Sequence, residues 1–147
     1  MKISIGSDHG GFLLKQEIVQ YLQSQKIEVV DSGTYGADSV DYPLYAEKVC
    51  HDIQNKTSDF GILICTTGIG MCISANKHHG IRAAQIHLLE EAILARQHNN
   101  SNVICFGAKF MSSDLANKII DVFIHTDFEG GRHQRRIDLI SKQEEAR

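Results

Sequence analysis

Short apolar runs alternate with longer segments whose apolar residues recur at helical spacing along nearly the whole of this 147-residue chain. Lys2–Ser7 (KISIGS) reads as a first strand. A helical stretch from about Gly11 to Lys26 follows, with Leu14, Ile18 and Leu22 on one face and Val19 beside them. Ile27–Asp31 (IEVVD) is a second strand, and SGTYGADSVDYP after it is a loop rich in turn formers. The only proline, Pro43, suits the start of a helix that runs to about Asn55. Further strands are predicted at Phe60–Cys65, Ile81–Ile86 and Val103–Gly107, and further helices at about Gly70–Lys77, Leu88–His98 and Ser113–His125. The polar segment from Gly131 to the end reads as a last helix that projects toward a partner subunit. No repeat, low-complexity tract or linker divides the chain, so one domain over residues 1–147 is expected.

Strands that alternate with helices of this length form a parallel sheet with helices on both faces. In such sheets a ligand sits beyond the carboxyl ends of the strands, near the point where strand order reverses. Here those ends carry Asp8 and His9, then Asp31, Cys65, and the turn after Gly107.

Composition excludes several classes of function. The formal net charge of -3 gives no support to a nucleic-acid or membrane-surface role. No apolar run approaches the roughly 20 residues that span a bilayer. MKISIGSDHGG opens as a strand, with no signal-peptide core. Cys50, Cys65, Cys72 and Cys105 lack the dense spacing of a disulfide scaffold, so reduced thiols in a cytoplasm are expected.

The chemistry concentrates in FGILICTTGIGMC, Phe60 to Cys72. Ile62, Leu63 and Ile64 make a strand covered on both faces, which runs from Cys65 into Thr66, Thr67, Gly68, Ile69 and Gly70. Such a turn aims backbone N–H groups at one anion, and a helix N-terminus adds to that field. The same field favours negative charge on a neighbouring sulfur, which makes Cys65 the first candidate for reactivity. A structural phosphate loop with an inert buried thiol is the competing reading. Asp8 and His9 in SDHGG can hold hydroxyl or phosphate oxygens, or Asp8 can cap the next helix. His98 and Asn99 in RQHNN are placed in a connecting loop, with a simple helix cap as the alternative. Arg132 and Arg136 in EGGRHQRR stand four apart, so on a helix they share a face and can clamp one phosphate; a solvated basic face is the alternative. There is no GxxxxGK[ST] and no GxGxxG after the first strand, so nucleotide binding lacks its signature. Cys65, Cys72, His78 and His79 are not framed by CxxC or HExxH, and no metal site is expected.

SDHGG, DYP at Asp41–Pro43, GILIC with TGIG, ANK at Ala75–Lys77, GIRAA, RQHN, N-x-x-x-FG and EGGRHQRR occur in this order along the chain. Together they resemble ribose-5-phosphate isomerase type B and the wider group that contains the galactose-6-phosphate isomerase subunits. The resemblance runs from Met1 to about Ile140. It implies a Rossmann-like three-layer α/β/α sandwich with a five-stranded parallel sheet, and a homodimer or homotetramer whose sites are shared between subunits. It implies an aldose–ketose isomerase of carbohydrate metabolism, acting on ribose 5-phosphate in the pentose phosphate pathway through a cis-enediolate. Cys65 would be the base, Thr67 would move a proton between oxygens, and His98 would open the sugar ring. Asp8 would hold sugar hydroxyls, Asn99 would assist near the enediolate, and the backbone of Thr66, Thr67, Gly68, Ile69 and Gly70 would meet the oxyanion. His9, Arg132 and Arg136 would grip the phosphate, with Lys109 standing where many relatives carry arginine. No metal or organic cofactor is required. Thr66 stands where glycine is common, a substitution that bears on which sugar is preferred. Isomerisation of allose 6-phosphate or galactose 6-phosphate, and a non-catalytic sugar-phosphate-binding domain, are the alternatives.

Overall fold

A computed structural model describes residues 1–146. Its strands are β1 (Lys2–Ser7), β2 (Glu28–Asp31), β3 (Phe60–Cys65), β4 (Ala83–Gln85) and β5 (Val103–Gly107). Its helices are α1 (Phe12–Ser24), α2 (Tyr42–Gln54), α3 (Ile69–Ala75), α4 (Leu89–Asn99), α5 (Ser113–His125) and α6 (Arg132–Glu145). The strands form one parallel sheet in the order β2-β1-β3-β5-β4. The expected three-layer α/β/α arrangement is therefore present.

Period-two alternation divides the strand side chains between two cores. Ile3, Ile5, Ile62, Ile64, Ile104 and Phe106 point to one face, where they meet α1, α4 and α5. Leu63, Cys65, Val103 and Cys105 point to the other and pack on α2 and α3. Both faces of β3 and β5 are thus dry, which accounts for their unbroken apolar runs. The helix signals act as anticipated: Pro43 sits in the first turn of α2, and the Ser112 side chain accepts the Leu115 N–H to cap α5. The α6 helix buries His133 and Ile137 but leaves Leu139 and Ile140 exposed. No helix among the described residues is long and apolar enough to cross a membrane.

Beyond shifts of one or two residues at other element ends, two boundaries depart from the sequence reading. The fourth strand keeps only three of its expected residues, Ala83–Gln85, because Ile81 closes a turn onto the His78 carbonyl and Arg82 turns its N–H to the Asn102 side chain. The β4 edge is finished by a side chain: Asn76 Oδ1 accepts the Ala83 N–H at 2.9 Å, and its Nδ2 donates to the Ala83 carbonyl at 2.9 Å. The α4 helix runs on through His98 and Asn99, so neither residue lies in the connecting loop where the sequence reading put it. Asn100, at φ 44°, takes the left-handed conformation that ends the helix, a role asparagine tolerates well.

Lys15 is a buried cation that ties the first βαβ unit together. Its side chain is 1% exposed, and Nζ lies 2.7 and 2.8 Å from the two carboxylate oxygens of Asp31. The ammonium also lies over the rings of Phe12 and Tyr35. Asp31 Oδ1 accepts the Gly33 N–H as well, so one carboxylate joins α1, β2 and the loop after it. Asp31→Ala strands the buried charge. We expect it to lower the unfolding free energy by about 2–3 kcal/mol, below the roughly 3–5 of a fully buried pair because Asp31 keeps a third of its side chain in water. Lys15→Met removes the charge, keeps the bulk and costs less. Urea unfolding at one protein concentration checks both, and a larger loss for Lys15→Met would contradict this account.

Candidate active site

Strand order reverses between β1 and β3, since the chain leaves β1 toward β2 on one side and passes back to β3 on the other. The register pairs Ser7 with Ile64, and the Asp8 N–H continues the ladder by donating to the Ile64 carbonyl at 3.2 Å. Asp8 and Cys65 are consequently neighbours at the carboxyl end of the sheet, on the face covered by α2 and α3. Both are nearly sealed, with 6% and 5% exposure. Two of the candidates named from the strand ends, Asp8 and Cys65, thus stand at the switch point.

The turn after Cys65 is set by backbone contacts as much as by its own residues. Gly68 has φ 80°, and a Cβ there would lie 2.9 Å from the Gly107 nitrogen. Across the gap, a Cβ on Gly107 would fall 2.5 Å from the Thr67 carbonyl carbon. The turn therefore rests directly on the end of β5, and Cys65 and Thr66 carbonyls accept the N–H groups of Ala108 and Lys109 at 2.9 and 3.0 Å. The Thr67 carbonyl takes Nε2 of Gln85 at 2.7 Å, which ties β4 to the same turn. Within this frame the Gly68 N–H donates to Cys65 Sγ at 3.2 Å. Thr67 Oγ1 accepts the Ile69 N–H at 3.3 Å, leaving the hydroxyl proton to donate elsewhere. Gly70 packs beneath the Tyr42 ring at the start of α3. Of the five residues expected to supply N–H donors, Gly68 and Ile69 thus direct theirs to the thiol sulfur and to Thr67.

Asp8 takes the capping role, one of the two readings its sequence position allows. Its Oδ1 accepts the N–H groups of Gly10 and Gly11 at 2.9 and 3.2 Å and caps the turn that leads into α1. The second oxygen takes no part in that cap. His9 is exposed, and its Nδ1 accepts the Val40 N–H at 3.2 Å, so the ring carries its proton on Nε2 and offers a donor outward. The Thr66 side chain lies over Gly10 and needs no left-handed backbone, because the turn's positive φ falls on Gly68. A cleft lined by His9, Gly10, Thr66, Lys109 and Ser113 opens beside this group, so Lys109 belongs to the same end of the sheet.

The remaining candidates gather at the other end. His98 and Asn99 close α4 just before β5 begins at Val103, whereas Cys65 pairs with Gly107 at its finish. The length of β5 separates them, about 13 Å at the usual strand rise. Arg96 fixes this corner. Its guanidinium lies over Phe60 and Phe123, 5.0 and 5.6 Å from the ring centres, and donates to the Ser101 and Thr126 carbonyls. Arg132 and Arg136 stand exposed on the first turns of α6, close to His98 in the fold because the Glu129 N–H donates to the Gln97 carbonyl at 3.1 Å. One chain thus brings together Asp8, His9, Cys65, the Thr66–Gly70 turn and Lys109, and separately His98, Asn99, Arg132 and Arg136.

Sequence reasoning passed over His133. Its ring stacks on His98 at 4.4 Å with an interplanar angle of 12°, and its Nε2 lies 3.4 Å from the Glu129 carboxylate. Burial, then the positive neighbours His98 and Arg132, hold its pKa below the ordinary histidine value. The residue sits in the same EGGRHQRR run as the two arginines, so the signal was present but drowned by them. Cys72 is weighed in the sequence only as a metal ligand, and its contacts give it another character. The Cys105 thiol hydrogen-bonds to it, and with the Gln85 N–H and the Asn76 amide it brings the Cys72 pKa down to about 7 against the opposing effect of burial. Cys105, fully enclosed, is pushed well up.

Comparison with known proteins agrees with the geometry. The ribose/galactose isomerase family matches residues 3–140. Ribose-5-phosphate isomerase B of Escherichia coli is 44% identical over 146 residues, covering 99% of this chain and 98% of that one. The structure of Clostridium thermocellum ribose-5-phosphate isomerase B superposes with a TM-score of 0.98 at 44% identity, covering 99% of both chains. That of the Mycoplasma genitalium enzyme with bound ribulose-5-phosphate gives 0.94 at 44% identity, covering 99% of this chain and 97% of that one.

Two outcomes follow from the packing of the turn. Gly107→Ala places a methyl group against the Thr67 backbone, which cannot swing aside, and is expected to cost about 1–3 kcal/mol in thermal or urea unfolding. An unchanged midpoint would mean that the turn does not rest on β5 as described. Iodoacetamide at pH 7 is expected to label Cys72 ahead of Cys50 and Cys105, as peptide mapping by mass spectrometry would show. Labelling of Cys105 at the rate of Cys72 would contradict this.

Proposed function

This chain belongs to the ribose/galactose isomerase family, and from that membership we propose that it interconverts ribose 5-phosphate and ribulose 5-phosphate. The observation that carries the chemistry is the Cys65 thiol beside Asp8 at the switch point, with a backbone N–H aimed at its sulfur. As thiolate, Cys65 takes the proton from C2 of the opened aldose phosphate, and the electron pair moves into a cis-enediolate. Returning the proton to C1 gives the ketose, with no net change in charge. Oxyanion character is met by N–H groups of the Thr66–Gly70 turn other than those of Gly68 and Ile69, which are directed to Cys65 and Thr67, a preorganised field of the kind that contributes strongly to rate. Thr67 transfers the proton between the two enediolate oxygens, and the free oxygen of Asp8 orients a sugar hydroxyl.

His98 and the two arginines reach this centre from a second copy of the chain. The support is geometric: within one chain the length of β5 stands between His98 and Cys65. In a two-fold dimer each end of one protomer faces the opposite end of the other, and two identical sites result. His98 then serves ring opening, Asn99 assists at the enediolate, and Arg132 and Arg136 join His9 and Lys109 at the phosphate. Exposed Leu139 and Ile140 on α6 give that helix an apolar surface to place on the partner. The four thiols, all free, suit a reducing cytoplasm, where the reaction belongs to pentose phosphate metabolism.

Cys65→Ala is expected to lower kcat on ribose 5-phosphate by about 10³-fold with a small change in KM. Arg132→Ala should chiefly raise KM for any phosphorylated sugar. Near-normal turnover by Cys65→Ala would end the base assignment. Alkylation alone does not decide it, since Cys72 competes for the reagent, so thiol labelling belongs in a Cys72→Ser background. Mixing inactive Cys65→Ala with inactive His98→Asn and allowing subunits to exchange should recover about a quarter of wild-type activity, because each mixed dimer contains one intact site. No recovery despite demonstrated exchange would place both residues in a site within one chain. Faster turnover of allose 6-phosphate than of ribose 5-phosphate would move the preferred substrate to the hexose.

A further inference from the structure

We propose that His98, Glu129 and His133 form a binding site for one borderline divalent cation, Zn²⁺ foremost, and that occupancy halts isomerisation by taking His98 out of use. The ligand atoms of the three residues already lie within 4.8 Å of one another. Two imidazoles and one carboxylate are a donor set that suits zinc, and three protein ligands leave a fourth position for water or a substrate oxygen. Donors around a tetrahedral zinc ion stand about 3.3 Å apart, and an imidazole binds through its in-plane lone pair, so closing the site turns the His98 ring out of its stack on the buried His133.

The scaffold holds the donors for this. Glu129 is tied to the end of α4 through its N–H to the Gln97 carbonyl at 3.1 Å, one residue from His98. His133 is anchored by burial and by its N–H to the Gly130 carbonyl at 3.1 Å. The rings of His98 and His133 lie nearly parallel at 4.4 Å, and His133 Nε2 already faces the Glu129 carboxylate. Glu129 is the most exposed of the three and moves most freely. Arg132 and Arg136 on the adjoining turns oppose a bare cation. The Glu129 charge and an anionic fourth ligand, such as a phosphate oxygen, offset them. An ion held by the His98 ring blocks its proton transfer, so the site is inhibitory. The inhibition rests on the role proposed above for His98, whereas the binding does not.

The test is a Co²⁺ titration of tag-free, chelator-treated protein, followed by visible absorption and by the imidazole resonances in NMR, with Zn²⁺ as competitor. We expect one cobalt per chain, tetrahedral bands without a sulfur-to-metal charge-transfer band, and broadening of the His98 and His133 signals. Glu129→Gln should keep metal-free turnover and thermal stability near wild type while weakening cobalt binding at least about tenfold. Zn²⁺ should inhibit the wild type reversibly, with EDTA restoring activity, and Glu129→Gln should need correspondingly more Zn²⁺. A sulfur-to-metal band, an unchanged affinity in Glu129→Gln, or no binding would overturn the site. Binding as described with unaltered turnover would overturn the inhibition, and binding by a protein with no isomerase activity would count against the proposed function alone.

Discussion

Parallel pairing of β1 with β3 is the constraint on which the rest of this molecule depends. The two strands are neighbours in space but are separated in sequence by α1, β2 and α2, so their register is held by the dry alternation of Ile3, Ile5, Ile62 and Ile64 on one face and Leu63 on the other. A slip of one residue would turn Cys65 out of its core and move Asp8 away from it. The loop after Cys65 is equally dependent on β5, because Thr67 and Gly107 approach too closely for any side chain between them. The candidate centre is thus less a loop added to a sheet than the place where three strand ends meet.

Most of the fold was legible because each element is locally consistent. The first, third and fifth strands and α5 end where their apolar runs and caps end. The errors fall at termini, where distant partners act together with local backbone conformation. Arg82 gives up the fourth strand because Asn102, twenty residues on, accepts its N–H. His98 stays helical because Asn100 can take a left-handed backbone and Arg96, gripped by two phenylalanines, steadies the turn.

The site was legible as a set of residue types but not as a set of distances. Motifs separated along the sequence signalled Cys65, Asp8, His98 and the arginines together, yet topology sends the end of every helix that returns from a strand to the opposite rim of the sheet. The contacts of His133 and Cys72 went unread for another reason. The stacking of His133 on His98 and the thiol pair with Cys105 join segments about 35 residues apart, and nothing in local spacing announces either contact.

The amide of Asn76 at the edge of β4 has a consequence for how copies of this chain can meet. By occupying both backbone groups of Ala83 it stands in for a neighbouring strand, so the sheet cannot be lengthened by another chain at that position. At this edge any contact with another chain is left to helix and loop surfaces, where side-chain shape selects the partner. A short strand with its outward groups already spoken for also offers little template for indiscriminate growth, and the same asparagine that finishes one sheet helps keep crowded copies from fusing theirs.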